Sequence, residues 1–238
     1  PGEAALPVAF AGTVGLYTPP AADAVPRASA VLFLSPWGFE EMCIRKLWRL
    51  LAERFALLGI ASLRFDYPGT GDALDASGEQ GLDLWERAAA GAARELRALS
   101  GCDRLLVVGQ GLGAALAARL GGALDAAAAV LMAPVVSGRF HLRELSAWSK
   151  MVDEGLGLRP DQRIAGKVSV AGLVMPDAVA EAVRGLNLES LDTAPFPKAL
   201  VVERAGREKD AAFSARLAAL GVDVARAAYT GYYDLVSN

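Results

Sequence analysis

Histidine is nearly missing from this chain: one residue, His141, in 238. Cysteine is scarce too, and Cys43 and Cys102 have no framework spacing, which suits a reducing compartment rather than a disulfide scaffold. No apolar stretch approaches about 18 uninterrupted residues, so no membrane-spanning helix and no membrane partner are expected. The N-terminus lacks a basic region followed by an apolar core, and Glu3 stands where a signal peptide avoids an acid. A cytoplasmic protein is therefore expected. Basic clusters are absent as well: Lys+Arg 24 against Asp+Glu 27 gives a net charge of -3, which argues against a nucleic-acid partner. There is no internal repeat and no low-complexity tract beyond alanine richness. No cofactor and no metal are called for, and oligomeric state is not written in the sequence.

What is present is apolar. A hydrophobic content of 53% over 238 residues suffices for one well-buried domain. Val8–Phe10 and Thr13–Tyr17 read as an opening hairpin or edge pair divided by Ala11-Gly12. Ala30–Leu34 is continuously apolar and stops at Ser35-Pro36, as a buried strand does. From Glu40 to Leu58, Ile44, Trp48, Leu51, Phe55 and Leu58 recur at helical spacing, with Glu40 and Glu41 at the favourable end of the dipole. Ile60–Phe65 is the next strand, so a parallel strand–helix–strand unit is predicted. A helix from about Leu82 to Leu99 follows. Strands at Leu105–Val108, Ala127–Met132, Ala199–Glu203 and Val222–Ala228 alternate with further helices. The predicted fold class is α/β, a mostly parallel sheet with helices on both faces. Residues 138–195 break the alternation, with helices around Leu142–Val152 and Asp177–Leu186 and a short apolar run at Val168–Val174. They read as a cap or lid inserted into a core of residues 1–137 and 196–238.

The most telling stretch is Leu105-Leu106-Val107-Val108-Gly109-Gln110-Gly111-Leu112-Gly113, followed at once by an alanine-rich helix. Strand, tight glycine turn and helix form the layout in which G-x-S-x-G holds a nucleophilic serine at the top of an α/β sheet. The flanking glycines are present and the central serine is Gly111. Such an elbow places its central residue at positive φ, a strain of about 1–3 kcal/mol for a side chain and almost none for glycine. The change therefore deletes the nucleophile while relaxing the turn, whether as a natural loss or as an inactivating substitution.

Three segments in order make the chain resemble the α/β-hydrolase superfamily. They are the strand running into Ser35-Pro36-Trp37-Gly38-Phe39, the loop Arg64-Phe65-Asp66-Tyr67-Pro68-Gly69-Thr70-Gly71-Asp72, and the elbow. The first and second together also resemble the exosortase-system-associated hydrolases. The superfamily implies ester, thioester or amide hydrolysis or acyl transfer, with a small-molecule acyl substrate. By that resemblance Gly111 takes the nucleophile position, and the oxyanion hole falls to the N–H of Leu112 and of Trp37 or Gly38. The triad acid falls to Asp210 first and Glu208 second. The triad histidine should follow the last strand, where the chain reads Thr230–Asn238 without one. The superfamily's final helix is not visible there either. A truncated chain with a histidine beyond Asn238 is the expectation, unless the triad lacks both nucleophile and base.

Each candidate has a plainer reading. His141, at the start of the cap, is either a capping or solvent-facing residue or a base overhanging the pocket. Asp210 and Glu208 belong to a charged run, Arg204 to Asp210, that reads equally well as surface. Asp66 and Asp72 read as turn residues bonded to local backbone. Cys43 reads as a structural thiol. Trp148 and Met151 are apolar packing or the lining of an acyl pocket, with Phe39 and Gln110 beside them as substrate-contacting positions. Three functions follow: an acyl-transfer enzyme or inactive form of one, a noncovalent ligand-binding pseudoenzyme, or a noncovalent lyase- or cyclase-type catalyst.

Overall fold

The computed structural model describes residues 5–75 and 81–237. Glu3 and Asn238, used above, lie outside the described residues. The chain opens with a hairpin, β1 (Leu6–Phe10) and β2 (Thr13–Thr18), paired antiparallel with Leu6 opposite Tyr17. Then come β3 (Ser29–Leu34), α1 (Phe39–Leu57), β4 (Ala61–Phe65), α2 (Leu82–Ser100), β5 (Arg104–Gln110), α3 (Leu112–Leu120) and β6 (Ala126–Met132). After β6 lie α4 (Gly138–Gly155), a two-residue hairpin of β7 (Ser169–Val170) and β8 (Leu173–Val174), and α5 (Asp177–Gly185). The chain finishes with β9 (Lys198–Glu203), α6 (Glu208–Ala219), β10 (Asp223–Ala228) and α7 (Tyr232–Ser237).

Eight strands form one sheet in the order β1-β2-β4-β3-β5-β6-β9-β10. The hairpin joins it antiparallel through β2 and β4, and every pair from β4 to β10 is parallel. Alternation along β3 sorts the two faces. Leu32 and Leu34 join Trp85, Ala89 and Leu96 of α2, Ala115 and Leu116 of α3, and Phe213 and Leu217 of α6 in the larger core. Val31 and Phe33 join Ile44, Trp48 and Ala52 of α1 in the smaller one. Helices therefore cover both faces, as the alternation of elements predicts.

One expectation needs correction. The sequence reading finds no helix after the last strand, yet Tyr232–Ser237 is helical. Six residues carry too little periodicity to register as a helix, and their order comes from docking. Tyr232 and Val236 pack on Ala133, and α7 also meets α1. The apolar run at Val168–Val174 resolves into the β7–β8 hairpin, with Val170 buried in the larger core. The loop after β4 is tied locally, as read: Asp66 Oδ2 accepts the N–H of Asp72 at 2.8 Å, and Tyr67 stacks on Trp85 at 4.8 Å.

Candidate functional site around Gly111

Parallel strands deliver their C-terminal ends, and the loops that follow, to one edge of the sheet. Gly111 sits there between β5 and α3, at φ 56 and ψ -119, with its N–H on Met132 O at 3.0 Å. This is the strained elbow conformation that the glycine pattern predicts. Gly113 lies close against the end of β3: a Cβ on it would run into the backbone oxygens of Leu34 and Ser35. Leu112 heads α3 and is buried, so its N–H is one of the helix's unpaired first-turn donors. Trp37 is buried, and Gly38 is the N-cap of α1. Phe39, the first residue of α1, meets Trp148 of α4 edge to face at 6.4 Å.

The space above Gly111 is taken by a residue the sequence reading assigned to the helix dipole. An ideal Cβ on Gly111 would lie 2.5 Å from Oε2 of Glu40. Glu40 is 6% exposed, and its Oε1 accepts hydrogen bonds from Gln110 Nε2 at 3.0 Å and from the Tyr232 hydroxyl at 3.3 Å. Gln110 is fully buried and held in turn, its Oε1 accepting from the Tyr229 hydroxyl at 2.7 Å. Burial pushes the Glu40 carboxyl above the usual carboxylate range, opposed by Gln110, Arg204 and Tyr232. The same burial, with Glu40 nearby, pushes Tyr229 up to about 12 and Tyr232 higher still.

Asp210 is fully buried and, among the described residues, its carboxylate is held by Arg204 and not by an imidazole. Arg204 holds it in a fork, Nε to Oδ2 at 3.0 Å and Nη2 to Oδ1 at 2.7 Å, with the Arg204 backbone N–H on Oδ2 at 2.9 Å. Arg204 Nη2 also reaches Pro134 O at 2.9 Å, and its guanidinium lies 5.7 Å from the centre of the Tyr232 ring. Glu208, the second candidate acid, is exposed at the start of α6. The two acids are thus separated by environment, and the buried one belongs to a closed ion pair.

His141 lies on α4 and lines a cavity of about 240 Å³ together with Arg204, Glu144, Arg207 and Asp210. Its Nε2 is sealed off with no hydrogen-bond partner among the described residues. Burial, and then the Arg204 charge, bring its pKa down to about 4 from an ordinary 6.5. A depressed folded pKa gives stability that is complete above pH 6.5 and disappears as the pH falls through about 4. Thermal melts on acidification should therefore show a loss of about 3 kcal/mol that is missing from His141→Gln. Parallel melting curves for the two proteins would refute a buried neutral imidazole.

Of the remaining candidates, Trp148 packs beside this centre, half-buried between Phe39 and the cluster of Ala133 and Tyr232. Met151 is 62% exposed. Cys43 is partly covered, and burial raises its thiol pKa, the opposite of an activated nucleophile. Sequence reasoning missed Glu40, Arg204, Tyr229 and Tyr232. A signal existed for the first: Glu40, Ile44, Trp48, Ala52 and Ala56 form one i, i+4 stripe, and all five are buried.

Among known proteins, the model of a family described as the alpha/beta hydrolase family matches residues 31–234. No curated protein matches the sequence. Solved structures share the fold at low identity. A serine hydrolase without a lid from Xanthomonas campestris is 16% identical with a TM-score of 0.58, the match covering 99% of this chain and 94% of that one. The ferulic-acid-bound Est1E from Butyrivibrio proteoclasticus is 14% identical with a TM-score of 0.65, covering 98% and 95%. Brefeldin A esterase, a bacterial homologue of human hormone sensitive lipase, is 18% identical with a TM-score of 0.62, covering 98% and 70%.

Proposed function

The chain belongs to the alpha/beta hydrolase family, and from that premise we propose that it comes from an acyl-transfer lineage but binds an acyl-type small molecule without forming an acyl-enzyme. One observation carries the reading: the Glu40 carboxyl fills the space a nucleophilic side chain at position 111 would need. The ion pair of Asp210 with Arg204 supports it, because a triad acid bonded to a guanidinium has no means of orienting a base. The fit between glycine and carboxyl also favours Gly111 as the resident residue over a substitution made to inactivate an enzyme. Residues 138–195 serve as a lid in this reading, α4 contributing Phe140, His141 and Glu144 to the cavity and Trp148 to the contact with Phe39. The oxyanion positions, Leu112 with Trp37 or Gly38, would hold a ligand carbonyl through main-chain donors. The compartment is cytoplasmic, and the narrower kinship is to the exosortase-system-associated hydrolases.

A fluorophosphonate probe and a panel of acyl esters and thioesters test this. The wild-type protein and Gly111→Ser should both stay unlabelled and turn over none of the panel, because a side chain there meets Glu40. Labelling or ester turnover by the wild-type protein would overturn the reading. A second function, noncovalent lyase- or cyclase-type catalysis, is favoured by the buried titratable group beside the oxyanion loop. Turnover of a substrate without phosphonate sensitivity would support it.

A further inference from the structure

A second cavity, of about 360 Å³, opens between α1 and the β1–β2 hairpin, and neither Gly111 nor Glu40 lines it. Pro7, Val14, Leu16 and Trp48 give it apolar surface, and Ser35 and Arg64 stand among them. Leu16 and Arg64 are direct partners across the antiparallel pair of β2 and β4, so their side chains share one face of the sheet. Leu63 and Phe65 belong to the larger core, which leaves Arg64 on the α1 side. Arg64 is half-buried and unanswered. Its Nε is buried with no hydrogen-bond partner, and among the described residues no carboxylate forms an ion pair with its guanidinium. Ser62, two residues back on the same face, and Thr18 opposite Ser62 are also buried without partners, so neither hydroxyl answers it.

We propose that this cavity binds a small monocarboxylate with an alkyl tail, the carboxylate held by the Arg64 guanidinium and the tail laid on Pro7, Val14 and Leu16. A buried cation without an acceptor is costly, and a guanidinium does not escape by losing its proton. Burial lowers the Arg64 pKa, while Glu53 and Arg49 act on it in opposite directions, so the helix above supplies no net counter-charge. The planar fork of arginine matches a carboxylate in shape and charge. Ser35 Oγ accepts from Trp48 Nε1 at 3.1 Å and has its own O–H left to give to the same anion. Charge number is restricted by the other lining groups. Glu41, Asp66 and Asp72 share the cavity, and Arg45, which meets Glu41 at 2.7 Å and Asp66 at 3.8 Å, is the one lining cation besides Arg64. A dianion therefore meets more repulsion there than a single carboxylate. The volume falls within the range of small-molecule sites, and the apolar surface favours an alkyl chain.

The test uses the full chain with sodium hexanoate, hexanamide and sodium sulfate. In calorimetric titrations hexanoate should bind, and hexanamide and sulfate should bind about tenfold more weakly or less. Arg64→Met should lose hexanoate affinity by about tenfold or more, yet unfold in urea no earlier than the wild-type protein, because it removes a buried charge that has no partner. Leu16→Glu sets an internal carboxylate across the strand pair from Arg64, so it should block hexanoate while raising the urea midpoint. In the wild-type protein the side-chain Nε–H resonance of Arg64, identified by its loss in Arg64→Met, should move when hexanoate is added. Binding that survives Arg64→Met or Leu16→Glu is binding elsewhere and overturns the proposal. So does no hexanoate binding, equal binding of hexanamide, tighter binding of sulfate, or an Arg64 resonance that stays in place. An earlier urea midpoint in Arg64→Met would assign the arginine to the fold and overturn it too. Position 111 enters none of these readouts, so the outcome is independent of what binds at the elbow.

Discussion

Gly111→Ser should destabilise the protein by about 2–4 kcal/mol, summed from backbone strain and lost hydrogen bonds. At φ 56 any side chain is strained, and the new Cβ would lie 2.5 Å from Glu40 Oε2. The carboxyl is the far end of a flexible chain, so it can move. Moving, however, takes Oε1 away from Gln110 and Tyr232 and leaves three buried polar groups seeking partners. Urea unfolding in a double-mutant cycle separates the two costs. In a Glu40→Ala background the serine should cost about 1–2 kcal/mol less than in the wild-type protein, a positive coupling of the size expected for residues in contact. Equal costs in both backgrounds would mean that Glu40 and position 111 are independent, and the account of the filled elbow would fail.

Asp210→Ala should be the most damaging single change at the site, at about 3–5 kcal/mol, because it strands a buried guanidinium. Asp210 is fully buried, and the Arg204 side chain is only 11% exposed. Arg204 keeps its charge at any accessible pH, and the Asp210 fork holds its pKa above even the ordinary arginine value, so deprotonation offers no relief. A second substitution, Arg204→Met, should recover much of the loss by removing the orphaned charge, since apolar replacement of a whole buried pair is often neutral. Chemical denaturation of the two single variants and the double variant gives the answer. A double variant no better than Asp210→Ala would show that Arg204 holds the fold through Pro134 and Tyr232 rather than through the pair.

The parts of this protein that were legible in its sequence are those written in periodicity and turn chemistry. The elbow was visible because Gly109, Gly111 and Gly113 punctuate a β-branched strand before an alanine-rich helix. The two-faced sheet was visible because strands and helices alternate along the chain and Ala30–Leu34 is apolar without a break. The content of the site was much less legible. Glu40 and Glu41 are identical letters at a helix start, and only the i, i+4 stripe shared with Ile44 and Trp48 separates the buried acid from its neighbour. Arg204 and Asp210 read as a surface charge run, because pairing that permits burial is a three-dimensional fact six residues apart in sequence. Tyr229 and Tyr232 were invisible for a related reason: their partners, Gln110 and Glu40, lie more than a hundred residues away.

Ala133 adds an order of events. It is fully buried at φ 44, a left-handed conformation that alanine adopts at a cost, and its methyl group is part of the seat on which Tyr232 and Val236 rest. A six-residue helix has no independent existence in water, so α7 forms only once that seat is complete. That requires β6 to be in place with the Ala133 N–H on Val202 O at 2.9 Å. Until then Tyr232 cannot cover Glu40, and the carboxyl keeps its water and its ordinary acidity. The chemical character of this site therefore depends on the docking of α7. Lifting one short helix is enough to return the Glu40 carboxyl to solvent while the sheet beneath it stays whole.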